Sequence, residues 1–235
     1  MSVLGWLARR IHPGLRHVHG QVARYAAEWD EANGVALGAG GPLWVVLGDS
    51  TAQGIGAPSA QDGYVGQLRR ALDDGSADPW RVVNLSKSGA LAADVLDRQL
   101  PALAALVPAP DLVTCAIGAN DVVRRTPADV LHRQFRDIMA RLPARAVIAT
   151  LPQGLSRART EAANRVIRQE APAAGLVVAD VWVRTGPPWR GKYAQDGFHP
   201  GALGYADWAA AFAAVLPPRS PDPKHPPHRL GSGES

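Results

Sequence analysis

The stretch VVLGDSTAQGIGA, Val45–Ala57, is an apolar run that stops at Gly-Asp-Ser and gives way to a loop of small residues. With Leu43 and Trp44 before it, the run is continuous in Val, Leu and Trp instead of alternating with polar residues. That is the pattern of a strand buried on both faces of a parallel sheet. Ser50 therefore stands where a buried strand ends. A serine at such a place caps a turn or a helix, or it is a nucleophile, in which case the chain must also supply a base, an orienting acid and donors for an oxyanion.

The apolar runs recur along the chain. Strands are expected at Leu43–Gly48 (LWVVLG), Trp80–Leu85 (WRVVNL), Asp111–Gly118 (DLVTCAIG), Ala146–Pro152 (AVIATLP) and Leu176–Trp182 (LVVADVW). Amphipathic segments near Tyr64–Leu72, Leu91–Leu106, Pro127–Leu142 and Arg157–Ala173 separate them, and a last helix is expected over Leu203–Val215. Five β-α repeats predict an α/β fold, a five-stranded parallel sheet covered by helices on both faces.

Two short helical patterns precede this domain: Leu4, Leu7, Ile11 and Leu15, then Val22, Tyr25, Ala26 and Trp29. The first, with Trp6 and flanking arginines, has the make-up of a membrane-surface helix, but Pro13 and Gly14 cut it short. ALGAGG, Ala36–Gly41, reads as a linker. The expected organisation is a helical extension with linker over residues 1–41, a main domain over 42–216 and a disordered tail over 217–235, PPRSPDPKHPPHRLGSGES.

Composition narrows the function classes. The chain has 235 residues, 46% hydrophobic and 20% charged, enough for one sizeable core. Its formal net charge of +4 is small and the arginines are interspersed with acids, so no nucleic-acid partner is expected. Cys115 is the single cysteine and lies in an apolar run, which excludes an internal disulfide framework and reads as core packing. The N-terminus lacks the order of a secretory signal, and no run reaches the length of a membrane span. A cytoplasmic protein is expected. The composition sets no oligomeric state.

In an open parallel sheet the binding crevice lies beyond the carboxyl ends of the strands. The first strand ends in GDS with Ser50, the second runs into NLSKSGA with Gly89, the third into GAND with Asn120 and Asp121, and DGFHP, Asp196–Pro200, precedes the last helix. Of seven histidines, His12, His17 and His19 precede the domain, His225 and His228 are in the tail, and His132 sits inside a helical pattern. Only His199 is in a loop that reaches the crevice. Asp196, three residues before it, is close enough to hold the imidazole tautomer that leaves the other ring nitrogen free to take the Ser50 proton. The backbone N–H groups of Ser50 and Gly89 and the Asn120 amide are candidate oxyanion donors. Each block also has a plainer reading: a cap at Ser50, a turn at Gly89 or Asn120, a helix entry at Asp196–His199. Asp49 and Asp121 read as structural hydrogen bonders. His17 and His19, spaced as metal ligands sometimes are, lack a companion block and read as surface.

The four blocks GDS, Gly89, GAND and DGFHP, in this order over Leu43–Leu216, resemble the SGNH hydrolases, also called GDSL-type esterases and lipases. The resemblance implies a flavodoxin-like three-layer α/β/α fold and metal-free, cofactor-free hydrolysis of esters or thioesters in a shallow, adaptable site. It also implies Ser50 as nucleophile, His199 as general base and acid, Asp196 as its orienting carboxylate, and Gly89 and Asn120 as oxyanion donors. Thr51 departs from the Leu of the name-giving motif, at a position outside the triad. The expected partner is a small-molecule or lipid ester. An acyltransferase, or a non-catalytic module binding carbohydrate or lipid in the same crevice, is the alternative. Trp182, Trp189 and Tyr193 are expected either to line an acyl pocket or to pack in the core, and the arginines of 156–170 to form a solvated, ion-paired helix face.

Overall fold

Leu43, Val45 and Leu47 of strand β1 (Leu43–Gly48) join one buried cluster, while Trp44 and Val46 join another, so the period-2 alternation of a strand divides two cores and not core from solvent. The computed structural model describes residues 13–74 and 78–216. Strands β2 (Arg81–Asn84), β3 (Leu112–Ala116), β4 (Val147–Ala149) and β5 (Val177–Ala179) complete a sheet of order β2-β1-β3-β4-β5, parallel throughout. The order 2-1-3-4-5 is that of flavodoxin-like folds, whose switch point lies between the first and third strands.

Helix α1 (Pro13–Gly38), α2 (Tyr64–Asp73) and the last helix, α8 (Ala202–Ala213), cover one face, burying Tyr25, Trp29, Tyr64, Leu68, Tyr205 and Phe212. The other face is covered by α3, built of Ala92–Asp94, a π-helical stretch Val95–Gln99 and Leu100–Ala104, by α5 (Ala128–Arg141) and by α6 (Arg157–Glu170). Short helices α4 (Ala119–Val123) and α7 (Val181–Arg184) follow β3 and β5. This is the three-layer α/β/α architecture that the β-α alternation implies.

Several boundaries differ from the sequence reading. The linker expected at Ala36–Gly41 begins later: α1 runs on to Gly38 because Ala36 is buried in the core and its carbonyl accepts from Arg81 Nη1 at 2.9 Å. The fifth strand, expected to reach Trp182, stops at Ala179, since Asp180 caps α7 by accepting from the Val183 N–H at 3.2 Å and Arg168 grips the same carboxylate with two hydrogen bonds of 2.9 Å. The third strand, expected to reach Gly118, ends at Ala116, and Gly118 turns the chain at φ +111°. Leu4, Leu7 and Ile11 of the first helical pattern and the tail 217–235 lie outside the described residues. Among the described residues, no helix is long and apolar enough to cross a membrane.

Candidate active site

The end of β1 is pinned before it turns. Gly48 has φ +155°, and a Cβ there would stand 2.5 Å from the Ala116 carbonyl oxygen, so only glycine lets β1 and β3 approach at this level. Gln99, carried inward by the π-helical stretch of α3, accepts from the Gly48 N–H and donates to its carbonyl, both at 2.8 Å. Asp49 is buried and its Oδ1 accepts from the Thr51 N–H at 2.9 Å and the Thr51 hydroxyl at 2.8 Å, which tightens the turn around Ser50. Gln53 then ties this loop to the next one, donating to Ser86 O and accepting from the Ser88 N–H, each at 3.1 Å.

Across the crevice, Tyr193 and Pro200 form an antiparallel bridge, and Ala194 N–H donates to His199 O at 2.8 Å. The closed loop between them presents the imidazole. His199 Nε2 lies 3.0 Å from Ser50 Oγ and His199 Nδ1 lies 2.6 Å from Asp196 Oδ2. The carboxylate accepts the Nδ1 proton, so Nε2 has its lone pair free for the Ser50 hydroxyl. Ser50, His199 and Asp196, separate in sequence, are thus one hydrogen-bonded chain, and such a chain can move a proton off the serine.

Gly89 adopts φ +79° in a turn closed by the Ala90 N–H donating to Lys87 O at 3.0 Å. Among the described residues, no backbone acceptor takes the N–H of Ser50 or of Gly89. Asn120, in the first turn of α4, donates from Nδ2 to Ala90 O at 3.0 Å and stands 3.4 Å from Asp49 Oδ2, a loose contact at the limit of a hydrogen bond. Asp121 points the other way: its Oδ2 accepts from the Ala92 N–H at 2.9 Å and its Oδ1 from the Thr126 hydroxyl at 3.1 Å, fastening α4 to α3.

Ser50, Asn120 and His199 line an open cleft, with Leu155, Trp189 and Tyr193 among its walls; Gly89 and Asp196 are not among its lining residues. Trp189 and Tyr193 face each other with ring centroids 5.7 Å apart. Of the three aromatics singled out in the sequence, these two reach the cleft and Trp182 does not. Lys192 also lines it, neutralised by Asp207 at 2.7 Å. The arginines of α6 are largely engaged, Arg157 with Glu161 and Arg168 with Asp180. His17 and His19 are exposed on α1.

Burial raises the Asp49 carboxyl above its ordinary range, against the Thr51 hydrogen bonds that pull it down, and burial likewise raises Asp121. At Asp196 burial pushes upward too, but the His199 ring and the Phe198 and His199 N–H groups outweigh it and hold the carboxyl below its ordinary value. Cys115 is fully buried and its thiol is pushed up to about 12, which fits packing and not reactivity.

Comparison with known proteins identifies a family. The model of the GDSL-like lipase/acylhydrolase family matches residues 46–206, a span that leaves out α1. The chain is 27% identical over 206 residues to the GDSL-like esterase Rv1075c of Mycobacterium tuberculosis, a match that takes in 74% of this chain and spans 65% of that protein's length. Among solved structures, TesA superposes with a TM-score of 0.62 at 26% identity, over 73% of this chain and 96% of that one. The lipase Lip_vut3 from a goat rumen metagenome gives the same TM-score at 16% identity, over 74% and 96%. The family match spans most of the domain and all four blocks, and the chain belongs to the GDSL-like lipase/acylhydrolase family.

Proposed function

We propose that the protein is a serine-dependent carboxylic ester hydrolase that works through an acyl-enzyme on small or lipid-like esters. The observation that carries this reading is the chain from Ser50 Oγ to His199 Nε2 at 3.0 Å and from His199 Nδ1 to Asp196 at 2.6 Å, opening on a cleft. Ser50 Oγ attacks the ester carbonyl carbon while its proton passes to His199 Nε2. The tetrahedral oxyanion takes hydrogen bonds from the Ser50 and Gly89 N–H groups and from the Asn120 amide, whose loose contact to Asp49 is the one exchanged for it. His199 returns the proton to the leaving alcohol, and the acyl group stays on Ser50. A water molecule then repeats the sequence, giving its proton to His199 and releasing the acid as Ser50 recovers its own. Asp196 stays ionised throughout and stabilises the imidazolium.

The walls formed by Leu155, Trp189 and Tyr193 suit an apolar acyl group, and the Lys192–Asp207 pair leaves no net charge to demand an ionic substrate. The test is turnover of p-nitrophenyl esters of increasing acyl length, with Ser50→Ala as control. Loss of turnover in a folded Ser50→Ala protein is the expected result, and unchanged activity in clean protein overturns the assignment. The preferred chain length then tells a small-ester enzyme from a lipid one.

A further inference from the structure

We infer that α1 is a brace for the two loops that carry Ser50 and His199, and that Gln21 is the positioning residue through which it acts. Gln21, Tyr25, Trp29 and Asn33 recur every four residues and so share one face of α1. That face is directed at backbone: Tyr25 Oη donates to Ala57 O at 2.9 Å, Trp29 Nε1 to Gln53 O at 3.2 Å and Asn33 Nδ2 to Asn84 O at 3.0 Å. Gln21 uses both ends of its amide on the backbone of two adjacent residues, donating to Ala57 O at 3.0 Å and accepting the Gly56 N–H at 2.8 Å. It is only 3% exposed. An apolar side chain would fill the same space without the desolvation cost of an amide, so what Gln21 adds is a fixed position for Gly56 and Ala57.

Gly56 is where the two loops meet. Its φ is +100°, and a Cβ on it would lie 2.5 Å from Pro200 O and 2.8 Å from the Cβ of His199. The loop that starts at Ser50, whose carbonyl accepts from the Ile55 N–H at 3.0 Å, therefore ends with its backbone against the residue that faces Ser50. The start of α1 touches the loop that carries His199, a Cβ on Gly14 standing 2.2 Å from the carbonyl oxygen of Gln195, next to Asp196. Holding Gly56 fixes how far His199 stands from Ser50, and displacements of about 1 Å in such pairs cost on the order of a hundredfold in rate.

This inference rests on the reading of Ser50 and His199 as the reacting pair. The test is Gln21→Met in the full chain, which removes both hydrogen bonds at nearly constant volume, with Gln21→Asn as a second variant whose amide is too short to keep both. For each, kcat and KM on a p-nitrophenyl ester, the rate of fluorophosphonate labelling and thermal unfolding are measured, with Ser50→Ala alongside. The expected result is a kcat lower by tenfold or more, toward the roughly hundredfold that about 1 Å of misplacement costs, with KM little changed and labelling slowed in parallel in protein that is still folded. A lowered melting temperature with wild-type kcat and labelling rate means that Gln21 only stabilises, and overturns the proposal. Should Gln21→Met fail to fold, Gln21→Asn decides on the same terms. Turnover that survives in Ser50→Ala sinks the underlying reading and this proposal with it, whereas turnover lost there but kept by the Gln21 variants sinks the proposal alone.

Discussion

Asp196 holds His199 twice over: Oδ2 lies 2.6 Å from Nδ1 of the ring, and Oδ1 accepts the backbone N–H groups of Phe198 and His199, each at 3.0 Å. The second pair of bonds fixes the carboxylate, so the first sets both the angle and the tautomer of the imidazole. Asp196→Asn can keep Oδ1 for the backbone but turns an NH2 group toward Nδ1. That donor favours the tautomer with the proton on Nε2, where it faces Ser50 and cannot accept. The expected outcome is a kcat lower by about four orders of magnitude with little change in fold, read by ester turnover and thermal unfolding on the same sample. A loss of only a few-fold would mean that another group orients the ring.

The same carboxylate gives a pH signature. Its hydrogen bonds hold it below the unfolded aspartate value of about 3.9, so the stability it contributes is fully present above that value and is lost as pH falls through its folded one. Asp49 and Asp121 have the opposite sign: burial raises them, and their contribution is lost as pH rises through their folded values. Comparing urea unfolding of the wild type with Asp196→Asn cancels those two. The wild type should be the more stable near neutral pH, with the gap closing on acidification past about pH 4. A gap that does not move with pH would mean that Asp196 is not the ionised partner of His199.

How much of this was legible from the chain follows from which residues advertise themselves. Ser50 and Asn120 stand in short polar breaks at the carboxyl ends of apolar runs, which the parallel topology sends to one edge, and Asp196 and His199 stand in a polar loop just before the last helix, so their assembly could be read. Gln21 and Gln99 could not. A glutamine in an amphipathic helix looks like a solvent-facing residue, and only the packed structure reveals that each is buried with its amide spent on distant backbone. The sequence LVVADVW reads as one strand because Val and Trp favour strands. What ends it is Asp180, whose cap depends on Arg168 from another element. ALGAGG is Gly-rich enough for a linker, yet its first three residues stay helical because tertiary burial of Ala36 outweighs the local preference.

Glycine-to-alanine substitution should have opposite effects at two positions. At Gly56 the positive φ costs about 1–3 kcal/mol for a residue with a Cβ, and the added carbon meets the Pro200 carbonyl, which is backbone and has little room to yield. Gly56→Ala should lower both the unfolding midpoint and kcat. Gly34 is an exposed position in α1 where a Cβ meets nothing within 4 Å, so Gly34→Ala should stabilise by about 0.5–1 kcal/mol and leave turnover alone. Denaturant titration of the two variants checks both signs.

The Gln99 clamp on Gly48 makes a prediction that separates its two hydrogen bonds. Gly48 O keeps a second donor, the Lys87 N–H at 3.2 Å, whereas among the described residues the Gly48 N–H has the Gln99 Oε1 as its acceptor at 2.8 Å. Gln99→Leu strands that buried N–H and should cost about 1–3 kcal/mol. Gln99→Glu keeps an acceptor for the N–H, but its ionised form turns an oxygen toward Gly48 O where the amide had a donor. Protonation restores a donor there, so the folded state favours the protonated acid and raises its pKa above the unfolded value of about 4.3. The stability of this variant should therefore be highest below that value, fall as pH rises through the folded pKa, and trail the wild type near neutrality. Urea unfolding of the variant across that range measures the effect, and a Gln99→Glu protein as stable as the wild type at neutral pH would show that the donor half of the clamp contributes nothing.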